Sequence, residues 1–194
     1  MKRLFTYSTA FAFALVMAAC GGGEPAEDAP AMEEEAPAAE EAPAAITMPE
    51  WISYDEGAGT LSLTFVAGET TENNSWNFNG YFGGEGEVFI PVGTEVTLTL
   101  ENQDQNMAHS VGVGETRSNF PANFSNPTPV FEGAITSNPT SLTEGTLPGE
   151  SETITFTVDE AGEYSFICYV PGHAAVGMYL HLTVTEDGRV GFRG

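Results

Sequence analysis

From Trp51 onward, apolar and polar residues alternate with a period of two, the mark of strands with one buried face. In TLSLTFV, Leu61, Leu63 and Phe65 share a face. EVTLTLEN repeats the pattern with Val96, Leu98 and Leu100, and ETITFTV with Ile154, Phe156 and Val158. EYSFIC aligns Tyr164, Phe166 and Cys168, and YLHLTV aligns Leu180, Leu182 and Val184. Glycine and proline punctuate the intervals in GGEGE, PVG, LPGE and EAGE, and no apolar stripe keeps helical spacing for three turns. The pattern predicts an all-β, antiparallel sandwich. One long insertion, from about Gly114 to Glu150, is rich in Asn, Pro, Ser and Thr and is expected to be a loop or to hold one short helix.

The first fifty residues follow other rules. A basic MKR precedes the apolar run LFTYSTAFAFALVM, which is too short to span a membrane comfortably, and the small residues AAC close it. Cys20 followed by Gly21 resembles a bacterial lipobox, with Met17 where that pattern usually has leucine. Residues 1–20 are therefore expected to be a lipoprotein signal peptide, with Cys20 the lipid anchor. The alternative is an ordinary signal peptide cut near Ala19. Either way the protein is expected to be exported, and with the lipid it faces the periplasm or cell exterior from a membrane. Residues 21–47, nearly all Glu, Ala, Pro and Gly at the start, cannot bury enough surface to offset their ordering entropy. They are expected to form a disordered, extended acidic tether ahead of a domain over residues 48–194.

Charge narrows the partners. Lys2 and Arg3 leave with the signal, so three of the five basic residues face 28 acidic ones, a net charge of −25. Nine acids lie between Gly21 and Glu50, and no lysine remains downstream. Such a chain is not expected to bind nucleic acid or an anionic lipid surface. An acidic, lysine-free surface also suits a salt-loving host, so it need not encode a partner.

The chemistry is concentrated in CYVPGHAAVGM, eleven residues that hold one of two cysteines, one of three histidines and one of six methionines. Cys168 shares a strand face with Tyr164 and Phe166. His173 follows in a turn shaped by Pro171 and Gly172, and Met178 opens the next strand. Each residue alone reads as core filler. Together, at the spacing Cys-x4-His-x4-Met, and with a buried thiol unusual in an exported chain, they read as ligands. Only His109 and His181 remain to complete the set. His181 lies between Leu180 and Leu182 and should face solvent, whereas His109 sits where a loop meets a strand. A thiolate, two imidazoles and a weak thioether from Cys168, His109, His173 and Met178 suit one copper cycling between +1 and +2. The small apolar neighbours of His173 suggest that its ring edge reaches the surface inside an uncharged collar that includes Val176, where a redox partner would dock.

At these residues the chain resembles the cupredoxins, the blue copper proteins, and within them the sulfocyanin and rusticyanin subfamily. WNFNGYFGG at Trp76–Gly84 is similar to the subfamily signature Phe-Asn-Phe-Asn-Gly-Thr, departing from it at Trp76 and Tyr81. The likeness continues through ENQDQNMAHSV and from Asn138 to Tyr179. It implies a cupredoxin-like Greek-key sandwich and a type 1 copper carrier of single electrons in a respiratory chain. A cytochrome or terminal oxidase would be its partner. A copper enzyme would need further histidines than His181. An exported copper chaperone or storage module is the alternative, although such sites tend to be exposed and rich in Met and His.

Overall fold

The computed structural model describes residues 44–194. Nine strands follow one another along them: β1 (Ile52–Asp55), β2 (Thr60–Ala67), β3 (Glu87–Pro91), β4 (Glu95–Asn102), β5 (Gly112–Glu115), β6 (Ser151–Thr157), β7 (Gly162–Ile167), β8 (Tyr179–Thr185) and β9 (Gly191–Arg193). They form two sheets, in the orders β1-β2-β4-β6 and β5-β7-β8-β3-β9. The only helical pieces among the described residues are two single 3-10 turns, Glu72–Ser75 and Ala174–Val176. The all-β sandwich expected from the alternation is therefore present.

The sheets are mixed rather than purely antiparallel. β2 pairs with β4 in parallel, and β3 pairs with β8 in parallel. The cause is connectivity. β3 lies in the other sheet, so the chain crosses over between β2 and β4 and returns in the same direction, as parallel neighbours require. Alternation along one strand carries no information about that crossing.

The two inner faces interlock through the predicted residues. Leu61, Leu63 and Phe65 of β2 meet Val96, Leu98 and Leu100 of β4 and Ile154 and Phe156 of β6 in one core. Opposite them lie Phe166 of β7 and Leu180, Leu182 and Val184 of β8. Phe65 stands at the centre, fully buried, edge-on to Phe166 at 4.9 Å and stacked on Phe78 at 5.4 Å. Thr47 exchanges two backbone hydrogen bonds with Phe192, so the sandwich begins at that residue.

Residues 116–150 contain neither helix nor strand. Isolated bridges pin the insertion, Gly112 to Ile135 and His109 to Thr146. It covers a second, smaller apolar cluster of Phe120, Ile167, Tyr169 and Ala174, with Phe124 against it. Glycine at 114 gives it room, because a Cβ would fall 2.6 Å from the Tyr169 hydroxyl and push that side chain aside.

Replacing Phe65 with Ala should remove the centre of this core and cost about 3–5 kcal/mol of stability. A chemical-denaturation midpoint that barely moves would show that the two sheets do not depend on that ring.

Candidate metal centre

The β7–β8 ladder delivers two of the four expected ligands. Its last strand pair is Ile167 with Tyr179, and the Cys168 N–H donates to the Met178 carbonyl at 3.1 Å, carrying the ladder one step further. Cys168 and Met178 therefore sit just outside their strands and face each other, both fully buried. The intervening loop closes on itself. His173 N–H donates to Val170 O (3.1 Å) and Met178 N–H to His173 O (2.9 Å). Gly177 adopts φ 109°, and its carbonyl accepts from Gly83 N–H at 2.7 Å. A side chain at Gly177 would press on Gly83 N at 3.1 Å, so glycine suits both the backbone turn and the close approach.

His109 arrives from the other side. It exchanges two backbone hydrogen bonds with Thr146, at 3.0 and 3.1 Å. The buried Asn102 side chain fixes the same junction, donating to Thr146 O and Met107 O at 2.8 Å each and accepting from Asp104 N–H.

The four side chains converge. The His109 and His173 Nδ1 atoms lie 3.2 Å apart. Cys168 Sγ is 3.5 Å from His173 Nδ1 and 4.0 Å from His109 Nδ1. Met178 Sδ is 3.1 Å from His109 Nδ1. All four residues are fully buried. His181 lies outside the cluster on β8, half-buried and paired in register with Glu87.

Three residues that the sequence reading did not assign complete the surroundings. Asp104, itself buried, accepts from the His109 Nε2–H at 3.0 Å, which fixes the ring and leaves Nδ1 free to face inward. Ser110 Oγ accepts from Tyr169 N–H at 2.9 Å and stands 3.8 Å from Cys168 Sγ, where its O–H can donate to a thiolate. Trp76 stacks on His173, with ring centroids 4.1 Å apart and planes inclined by 18°. The Trp76 contact corrects the expectation that the His173 edge lies at the surface. The ring is fully buried beneath the indole, although Val176 in the loop is 51% exposed.

Burial also sets the protonation states. His173 is pushed down to about 3, first by desolvation and then by the neighbouring His109. His109 is lowered by desolvation despite the opposing Asp104. Both imidazoles are thus neutral, with lone pairs to give. The Cys168 thiol is pushed up to about 11 by burial, against hydrogen bonds from Ser110 and the backbone. A cation must displace that proton, so metal uptake releases it. One soft thiolate, two neutral imidazoles and a thioether form the donor set that type 1 copper takes. The residues present fit the group.

The chain belongs to the cupredoxins of the sulfocyanin family, since the sulfocyanin (SoxE) domain model matches residues 47–192. A curated sulfocyanin from Sulfolobus acidocaldarius is 28% identical over 138 residues, 69% of this chain and 68% of that protein. Among solved structures, dithionite-reduced auracyanin from the photosynthetic bacterium Roseiflexus castenholzii is 25% identical. It covers 64% of this chain and 96% of its own, with a TM-score of 0.44. Reduced rusticyanin is 20% identical and covers 66% of this chain and 77% of its own, with a TM-score of 0.45.

Through His173 and Cys168, the metal-free protein should be most stable between pH 6.5 and 9.0, the ordinary values of those two groups. Below 6.5 the unfolded chain takes up a proton that folded His173 refuses until about 3, so stability falls as pH drops through that range. Above 9.0 the unfolded thiol ionises while folded Cys168 holds its proton to about 11, so stability falls again. Denaturation midpoints of the apoprotein across pH check this. A profile flat through both windows would contradict it.

Proposed function

We propose that this protein is a mononuclear type 1 copper carrier of single electrons, with His109, Cys168, His173 and Met178 as the ligands. The observation that carries the reading is the convergence of these four donors in a fully buried, preformed cradle. Copper bound there would supply a one-electron couple between +1 and +2.

The chain's own groups favour transfer over chemistry on a substrate. Asp104 fixes the His109 ring, and Ser110 is placed to donate to the thiolate. Strand ladders and a hydrogen-bonded loop hold the ligands, so little rearrangement accompanies a change of charge. Burial leaves no open side at the donors where a substrate could bind. The same burial weighs against a copper chaperone, which must hand its metal over. We take the protein for a non-enzymatic carrier.

The wider setting follows from the sequence. The basic start, the apolar run and Cys20 suggest export and lipid attachment, with the carrier facing the periplasm or cell exterior. These residues lie outside the described ones. A redox protein such as a cytochrome or terminal oxidase in a respiratory chain would be the partner.

Two experiments test this reading. Copper-loaded protein should show an intense thiolate-to-copper charge-transfer band in the red, and Cys168→Ser should abolish it while leaving the β-sheet circular dichroism unchanged. A colourless wild type would leave the chaperone reading, and a band that survives the substitution would refute the ligand assignment. Separately, Cys20→Ser should move the protein from the membrane to the soluble fraction. Acyl chains contribute about 0.8 kcal/mol per buried methylene, and the acidic tether offers no attraction to anionic lipid in their place. Retention of the variant in membranes would defeat the lipid anchor.

A further inference from the structure

The two imidazoles of the centre are treated differently. With both Nδ1 atoms turned inward, each ring has one outward Nε2–H. That of His109 meets the Asp104 carboxylate at 3.0 Å. That of His173 is buried and has no partner among the described residues. An orphaned buried donor costs about 1–3 kcal/mol, so its persistence needs a reason. What lies over the ring is Trp76, whose own Nε1–H is also buried without a partner.

The backbone is forced to put the indole there. Asn73, Asn74 and Ser75 lie consecutively in the left-handed region, at φ 47°, 60° and 63°. No glycine relieves them, and such residues cost of order 1 kcal/mol each. Side chains hold the segment in place. Trp76 N–H donates to Asn73 O at 3.1 Å, and Asn73 Nδ2 returns a bond to Trp76 O at 2.8 Å. Asn77, fully buried, donates to Thr70 O and Glu72 O at 3.0 Å each. Asn79, itself at φ 52°, donates to Thr64 O and accepts from Val66 N–H, tying the segment to β2. Strain over-determined in this way marks a side chain whose position matters.

We propose that Trp76 is a positioning residue for His173: it seals the outer ligand from water and extends its π-system to the surface. Trp76 is only partly buried whereas the imidazole beneath its ring is fully buried, so the stacked pair continues outward from the ligand. Dryness favours the site of lower charge, the reduced one, and so raises the reduction potential. It also leaves the stacked rings as the outward path. In the transfer, one electron passes out, the donor site is oxidised by one and the acceptor is reduced by one. The indole is neither oxidised nor deprotonated, and no bond or proton moves. The inference rests on the copper-carrier reading, which stands or falls on the charge-transfer band of the wild type.

The test compares Trp76→Phe, Trp76→Leu and Trp76→Ala, each copper-loaded and each retaining the band. Three quantities are read: the reduction potential, solvent exchange of the His173 ring proton by NMR in the reduced form, and electron self-exchange between copies of the chain. Self-exchange is measured in about 1 M salt, where repulsion is screened to ~3 Å. Phe should preserve all three. Ala should lower the potential, lose the protected ring proton and slow self-exchange. Leu, apolar but without a π-face, should keep the potential and the ring proton yet still slow self-exchange. An Ala variant with unchanged potential and ring proton overturns the seal, and a Leu variant with wild-type self-exchange overturns the path. If Ala alone fails to fold, Leu against Phe still decides the path, and the ring proton in Leu decides the seal.

Discussion

The hydrogen bond from Cys168 N–H to the Met178 carbonyl is the constraint on which the centre depends. It prolongs the β7–β8 ladder by one step, so the register of two core strands sets how the thiol and the thioether face each other. Everything between them must fit a fixed span, and the loop does so with a single 3-10 turn closed by Gly177. Because β8 also pairs with β3, the register is locked from both sides by the second sheet. A one-residue slip would turn Phe166 and Leu180 outward together with the ligands, which ties metal geometry to the burial of the whole core.

The electrostatics of the centre follow from that burial. Placing four donors out of water lowers both imidazoles and raises the thiol, so the bare cradle is neutral and apolar in character. A cation bound by one thiolate and neutral rings carries little net charge, which a dry interior tolerates better than a bare ion. Asp104 adds one buried acceptor, and it does so on the inner imidazole, away from the side covered by Trp76. Most other acids among the described residues lie at the surface, whereas the four donors are fully buried.

Much of this was legible in the sequence, for physical reasons that differ by feature. Period-two alternation reports which face of a strand is buried, so Leu61, Leu63 and Phe65 and their counterparts emerge at once. The ligand loop is legible because its chemistry is local: Cys168, His173 and Met178 lie within eleven residues. Strand pairing was not legible, because the crossovers that make β2–β4 and β3–β8 parallel are non-local. Asp104 gave no signal among 28 acidic residues, and its meaning appears only when Asn102 turns the backbone toward His109. Ser110 is one hydroxyl beside a ligand in a chain rich in them. Trp76 did carry a signal, as a departure from the family signature, but its stacking on His173 depends on three left-handed residues that no alternation pattern foretells.

The insertion, irregular as it is, supplies one half of the clasp on His109. Thr146 exchanges both backbone bonds with that ligand, and Asn102 grips Thr146 and Met107 together. Peeling residues 136–150 away would therefore release His109, together with the bonds that Gly149 and Glu150 make to Asn102 at the end of β4. Loops are the least protected parts of a fold and open locally far more often than the whole molecule unfolds. Opening of this clasp would therefore loosen His109 within the donor cluster, although the segment that holds it lies remote in sequence from CYVPGHAAVGM.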